Sequence, residues 1–124
     1  MASPGNIIGF VPITDAERAK AFYVDTLGLH FVKDDGFALV LKSGENMVRL
    51  VKMPSVTPAQ FTILGWEATD IVQKVTDLTA AGVPFQRYSF LQQDELGIWT
   101  APSGDRIAWL TDPDGNVLSL SQHV

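Results

Sequence analysis

The chain has 124 residues, 46% of them hydrophobic and 19% charged, with a formal net charge of −5 and no cysteine. That length suits one globular domain burying roughly two-thirds of the surface its unfolded chain exposes, so folding requires neither a disulfide nor a structural metal. The missing cysteines exclude thiolate chemistry and fit a reducing cytosol, the acidic balance argues against a nucleic-acid partner, and no apolar run or leader-like start points to a membrane. The expectation is a cytoplasmic bacterial protein with no nucleic-acid and no membrane partner.

In chain order, residues 7–13 read as a strand, and Thr14-Asp15 then opens a helix. Asp15 is a natural N-cap, Ala19, Phe22, Tyr23 and Leu27 recur at helical spacing, and Gly28 supplies the left-handed residue that ends the helix. Beyond the corner Gly28-Leu29-His30-Phe31, residues 37–42 and 47–52 read as strands, and Pro54-Ser55-Val56-Thr57-Pro58 as a linker. A strand over 61–68 follows. Asp70 caps a second helix with the stripe Ile71, Val75 and Leu78, and Gly82 with Pro84 ends it. Residues 85–90, 97–101, 106–111 and 117–121 read as the remaining strands, with 97–101 pairing back on 106–111 around Pro102-Ser103-Gly104.

These elements form an internal repeat. Thr14-Asp15 recurs as Thr69-Asp70, and an Ile stands seven residues before each Asp, as Ile8 and Ile63. Gly28-Leu29-His30-Phe31 is answered by Gly82-Val83-Pro84-Phe85, and Asn46-Met47-Val48-Arg49-Leu50 by Asn116-Val117-Leu118-Ser119-Leu120. A first module over about 6–53, a linker over 54–59 and a second module over about 60–123 thus make a single domain of two βαβββ units. In each unit one helix covers one face of an antiparallel sheet, and the open faces curve around a hollow: an α+β architecture with a bowl-shaped cleft.

The pattern resembles the vicinal oxygen chelate superfamily of glyoxalases, bleomycin resistance proteins and dioxygenases. The resemblance is carried by Asp15, Ala21-Phe22-Tyr23, Leu27-Gly28-Leu29, Ala80-Ala81-Gly82-Val83 and above all Asp112-Pro113-Asp114-Gly115-Asn116-Val117-Leu118, a structural turn in that family. It implies a metal held by the first and last strand of each module. The family's His would stand at Ile8 and Ile63, its Glu at Ser119, and the matching slot of the first module is Arg49. None is a customary ligand, because Ile has no donor atom, Arg is a permanent cation and a lone Ser binds weakly. The expectation is therefore no metal and no cofactor. His30 and His123 fall at no ligand slot and read as solvent-facing or hydrogen-bonded.

Strand alternation extends those slots to a cleft lining of Ile8, Phe10, Pro12, Met47, Arg49, Val51, Ile63, Gly65, Glu67, Val117, Ser119 and Ser121, and leaves Val11, Ile13, Val48, Leu50, Leu64, Trp66, Leu118 and Leu120 as core. Arg49 is the natural anchor for a carboxylate, unless it pairs with Glu67 or reaches solvent. Trp99, more than Trp109, is a candidate for stacking at the rim. The pairs Asp34-Asp35 and Asp94-Glu95 fall between strands, where exposure is the default. No Ser-His pair is legible in the cleft, and Glu67 is the one candidate base. This favours a metal-free protein that binds or sequesters a small organic molecule over the alternative, a glyoxalase-, lyase- or dioxygenase-type enzyme with a non-standard or absent metal site. Bleomycin itself would call on acidic residues, of which Glu67 alone is well placed. Two chains are expected to associate as a homodimer.

Overall fold

The computed structural model describes residues 2–124, and the chain folds as two compact units that divide between Thr57 and Pro58. The first unit runs β1 (Ile8–Ile13), α1 (Ala16–Lys20), β2 (His30–Asp34), β3 (Ala38–Ser43) and β4 (Asn46–Lys52). The second runs β5 (Leu64–Glu67), α2 (Ile71–Ala80), β6 (Trp99–Thr100), β7 (Arg106–Thr111) and β8 (Val117–Gln122). Both units build a four-stranded sheet in the same order, β1-β4-β3-β2 in one and β5-β8-β7-β6 in the other, so the repeat in sequence is a repeat in topology. The sheets are mixed rather than antiparallel. β1 lies parallel to β4 and β5 parallel to β8, because the helix after the first strand returns the chain and three antiparallel strands then bring the last one alongside the first.

Asp15 and Asp70 cap their helices as the sequence predicts, accepting the backbone N–H of Arg18 at 3.0 Å and of Gln73 at 3.2 Å. The first helix departs from the expected regular form, since after Lys20 the chain widens into a π-helical segment, Ala21–Thr26. There the Leu27 N–H reaches back to the Phe22 carbonyl at 2.9 Å, one residue farther than in an α-helix. The wider turn carries the Tyr23 ring fully into the core, edge-on to Phe22. Gly28, at φ +84°, then turns the chain into β2, a strand the sequence reading left unnamed. The core of this unit alternates as expected along β1 and β4, with Val11, Ile13, Val48 and Leu50 buried, and Leu39 and Leu41 of β3 pair with Leu50 and Val48.

In the second unit the predicted stripe Ile71, Val75 and Leu78 is buried, α2 packs on β7 and β8, and Ala108, Leu110, Leu118 and Leu120 of those strands are buried as well. Each of the Leu, Ile and Val side chains among them contributes about 1.5–3 kcal/mol when fully buried. Leu64 and Trp66, expected in the core, are only half-buried, and β5 begins at Leu64 rather than at Phe61. Of the strand expected over 97–101, only the two residues of β6 pair. The strand expected over 85–90 is absent apart from one bridge between Phe85 and Leu110. Side chains replace its ladder. The Gln93 amide accepts the Tyr88 N–H at 2.7 Å and donates to the Gln86 and Gly97 carbonyls at 2.9 and 2.8 Å. The Arg87 guanidinium donates to the carbonyls of Asp94 and Glu95. Periodicity cannot reveal this arrangement, because the partner of the backbone is a side chain several residues away.

Candidate functional site

In the second unit the residues that alternate with the α2-facing core lie on the opposite face of the sheet. Strand register places Trp99 beside Ile107, Trp109 beside Ser119, Gly65 beside Ser119, and both Ile107 and Glu67 beside Ser121. Four aromatic rings gather there. Trp99 and Trp109 lie 6.1 Å apart with planes inclined by 34°, Tyr88 meets Trp109 edge-on at 5.4 Å, and Phe90 lies 5.6 Å from Tyr88. Ring pairs at such separations attract beyond their buried area, and the group presents a broad, stiff apolar surface. Ser119, expected to be open, is buried, with Gly65 and Trp109 as its strand neighbours. A methyl group at Gly65 would come within 2.7 Å of the Ser119 Oγ and 3.3 Å of its carbonyl oxygen, so the glycine is what lets the two strands carry a hydroxyl here.

At the end of the same sheet stands a Ser-His pair that the sequence reading missed. The Ser121 Oγ lies 2.9 Å from His123 Nε2, and His123 Nδ1 lies 3.3 Å from the Asp105 carboxylate. Asp105 also accepts the Val124 N–H at 3.0 Å. That backbone donor, followed by His123, holds its carboxyl below the usual carboxylate range. The signal in the sequence was the i, i+2 spacing of Ser121, in β8, and His123, just past its end, but nothing local brings in Asp105.

In the first unit β1 and β4 carry Ile8 beside Met47, Phe10 beside Arg49 and Pro12 beside Val51. Ile8 and Phe10 are exposed, an unusual state for large apolar side chains on adjacent turns of one strand face. Arg49 has its partner within its own unit. Its Nη2 donates to Asp35 Oδ2 at 2.6 Å, while Lys52 Nζ donates to Asp34 at 2.8 Å, so the acidic pair, which closes β2 at Asp34 and opens the turn to β3 at Asp35, is engaged rather than merely solvated. Asp35 also accepts the N–H groups of Phe37 and Ala38, and these donors, with Arg49 the strongest, bring its carboxyl down to about 2. Lys52 and then the Gly36 N–H lower Asp34 in the same way. The other acidic pair is likewise structured, Asp94 accepting the N–H groups of Leu96 and Ile98. Ile63 precedes β5 and donates its N–H to the Val117 carbonyl.

The model of the Glyoxalase/Bleomycin resistance protein/Dioxygenase superfamily matches residues 7–120, and the chain belongs to that family. None of the curated proteins matches it in sequence. Solved structures do. The bleomycin resistance determinant encoded on the transposon Tn5 is 22% identical with a TM-score of 0.76, over 96% of this chain and 98% of that one. TnmS3, an antibiotic binding protein from Streptomyces sp. CB03234, is 25% identical with a TM-score of 0.69, over 100% and 99% of the two chains. A lactoylglutathione lyase from Agrobacterium tumefaciens is 19% identical with a TM-score of 0.75, over 98% and 96%.

The metal that the resemblance implies would draw its ligands from Ile8, Ile63, Arg49 and Ser119, and the side chains there do not fit one. Two slots are the hydrocarbon side chains Ile8 and Ile63, the third is Arg49 in an ion pair, and the fourth is the buried hydroxyl of Ser119. Among the described residues no three His, Cys, Asp or Glu side chains gather in a group able to hold an ion. No helix among them is long and apolar enough to cross a membrane.

Proposed function

We propose that the chain is a binding protein that takes up a small organic molecule with a flat apolar body, and that it does so without a metal. The observation that carries this reading is the sheet face of the second unit, where Trp99, Trp109, Tyr88 and Phe90 gather at the expense of donor atoms. Small-molecule sites are commonly apolar surfaces with a few convergent polar groups, here Ser121 and Glu67 at the edge of the aromatic set. The likeness to an antibiotic binding protein and to a bleomycin resistance determinant supports the same reading. In the first unit Arg49 is a second candidate contact, for an acidic ligand able to compete with Asp35.

Screening a panel of aromatic antibiotics by tryptophan fluorescence and thermal shift tests the proposal. A ligand that quenches the indoles should also raise the melting temperature, since binding to the folded state stabilises it by mass action. Trp99→Ala is expected to weaken that ligand by about 1–3 kcal/mol, as for other stacking contacts. Zinc, nickel, manganese and iron salts should leave the melting temperature unchanged. One tightly bound metal per chain in elemental analysis would sink the reading.

The assembly belongs to the same proposal. Ile7, Ile8, Phe10 and Phe37 in the first unit, and Phe61 and Phe90 in the second, are large apolar side chains left exposed. A symmetric pair of chains would cover such patches through one self-complementary interface.

A further inference from the structure

Ser121, His123 and Asp105 are connected in the order that nucleophilic catalysis requires. The carboxylate of Asp105 lies against Nδ1, so the imidazole carries its proton there and turns the lone pair of Nε2 toward the Ser121 hydroxyl at 2.9 Å. Asp105 is itself fixed by the Val124 N–H on its other oxygen, which keeps the carboxylate from swinging away from the ring. Ser121 is not sealed in the core. It lies half-exposed on the face that carries the aromatic residues, with Ile107 and Glu67 as its strand neighbours and Trp99 beyond Ile107. The base, its orienting acid and an apolar surface for a substrate therefore meet at one hydroxyl, although no two of the three polar residues are read as a motif in sequence.

We infer that Ser121 is an acyl-accepting nucleophile, with His123 as its general base and Asp105 as a positioning residue, and that the chain hydrolyses aryl esters of short carboxylic acids. The Ser121 Oγ adds to the ester carbonyl carbon as its proton passes to His123 Nε2, and the C–O bond to the phenol then breaks, the phenolate leaving with that proton. Water, deprotonated by His123, next attacks the acyl-serine, releasing the acid and restoring the hydroxyl. The net reaction is ester plus water to acid plus phenol, with no other reactant. Ser121 lies within a strand and not at a helix N-terminus, where free N–H groups would steady an oxyanion. The substrate class follows from that: a phenolate leaves readily without such help, and the ring of an aryl ester suits the flanking Ile107 and Trp99. This inference is independent of the binding reading above, which needs no covalent step.

The test uses p-nitrophenyl acetate with the full chain, following release of nitrophenolate and locating the acetyl group by peptide mass spectrometry. Wild type should acetylate at Ser121, and Ser121→Ala and His123→Gln should each lower the rate about a hundredfold, the smaller end of what a positioned base supplies. Neither variant touches the core, and unchanged melting curves would confirm that both remain folded. A wild-type rate equal to that of Ser121→Ala overturns the inference, as does acetyl found only on lysines or on His123 itself. Asp105→Asn should lower kcat at unchanged KM, whereas a merely structural role for Asp105 would lower the melting temperature and leave kcat per folded chain intact.

Discussion

Arg49 shows how one side chain can hold two roles. It is tied to Asp35, whose carboxyl is drawn down to about 2 by Arg49 and by two backbone N–H groups. A carboxylate whose folded value lies below its unfolded value of 3.8 adds stability above that value and loses it as the acid form takes over. The contribution of Asp35 is therefore full at neutral pH and fades as pH falls from about 4 toward 2. Urea titrations across that range should show a steeper loss of stability for wild type than for Asp35→Asn, and parallel curves would mean that the pair does not form in solution. The same variant frees the guanidinium. If Arg49 anchors acidic ligands, Asp35→Asn should tighten their binding, and Arg49→Ala should weaken it by about 1.5–3 kcal/mol, the range for hydrogen bonds to charged groups. The alternation that placed Arg49 on the sheet face was legible in sequence. Its partner was not, because Asp35 approaches through a turn between two other strands.

Among the elements, the turn joining β7 to β8 has the most internal structure. The Asp112 carboxylate is buried, accepting the N–H groups of Asp114 and Asn116 at 2.9 Å through one oxygen and the Asn116 side-chain amide at 2.8 Å through the other. Gly115 takes φ +87°, which any other residue would adopt only with strain, and a Cβ there would come within 3.1 Å of the Pro58 ring. Asp112→Ala removes three hydrogen bonds made through two buried oxygens, including the one from the Asn116 side-chain amide. Chemical denaturation should register a loss of about 2–4 kcal/mol, and a loss below about 0.5 would show the turn to be held by other means. The Asp-Pro-Asp-Gly-Asn run announced this turn in sequence, as the capping Asp residues announced the two helices. The π-helical widening at Ala21–Thr26 and the side-chain-braced stretch after Pro84 had no such announcement. Both depend on what a wide aromatic or an amide meets once the chain is packed.

For the whole molecule, the proposed dimer has a direct measure. Light scattering at micromolar concentration should return about 27 kDa, twice the 13.5 kDa chain, and Phe10→Asp should shift the mass toward the single chain by placing a charge in the apolar patch. A wild-type mass of one chain would refute the pairing. By itself the sequence determined the doubled βαβββ plan, the helix caps, the closing turn, the alternation of core and open faces along β1 and β4, and the lack of customary donor atoms at Ile8 and Ile63. Each of these is set by residues within a few positions of one another, through period, φ preference or donor chemistry. The tertiary structure alone decided that the sheets are mixed, that Arg49 answers to Asp35, that Tyr88 and Phe90 join Trp99 and Trp109, and that Asp105 completes the Ser121 and His123 pair. Those contacts join positions separated by a turn, a strand or more of chain, and only the folding of sheets and their connecting loops brings such positions together.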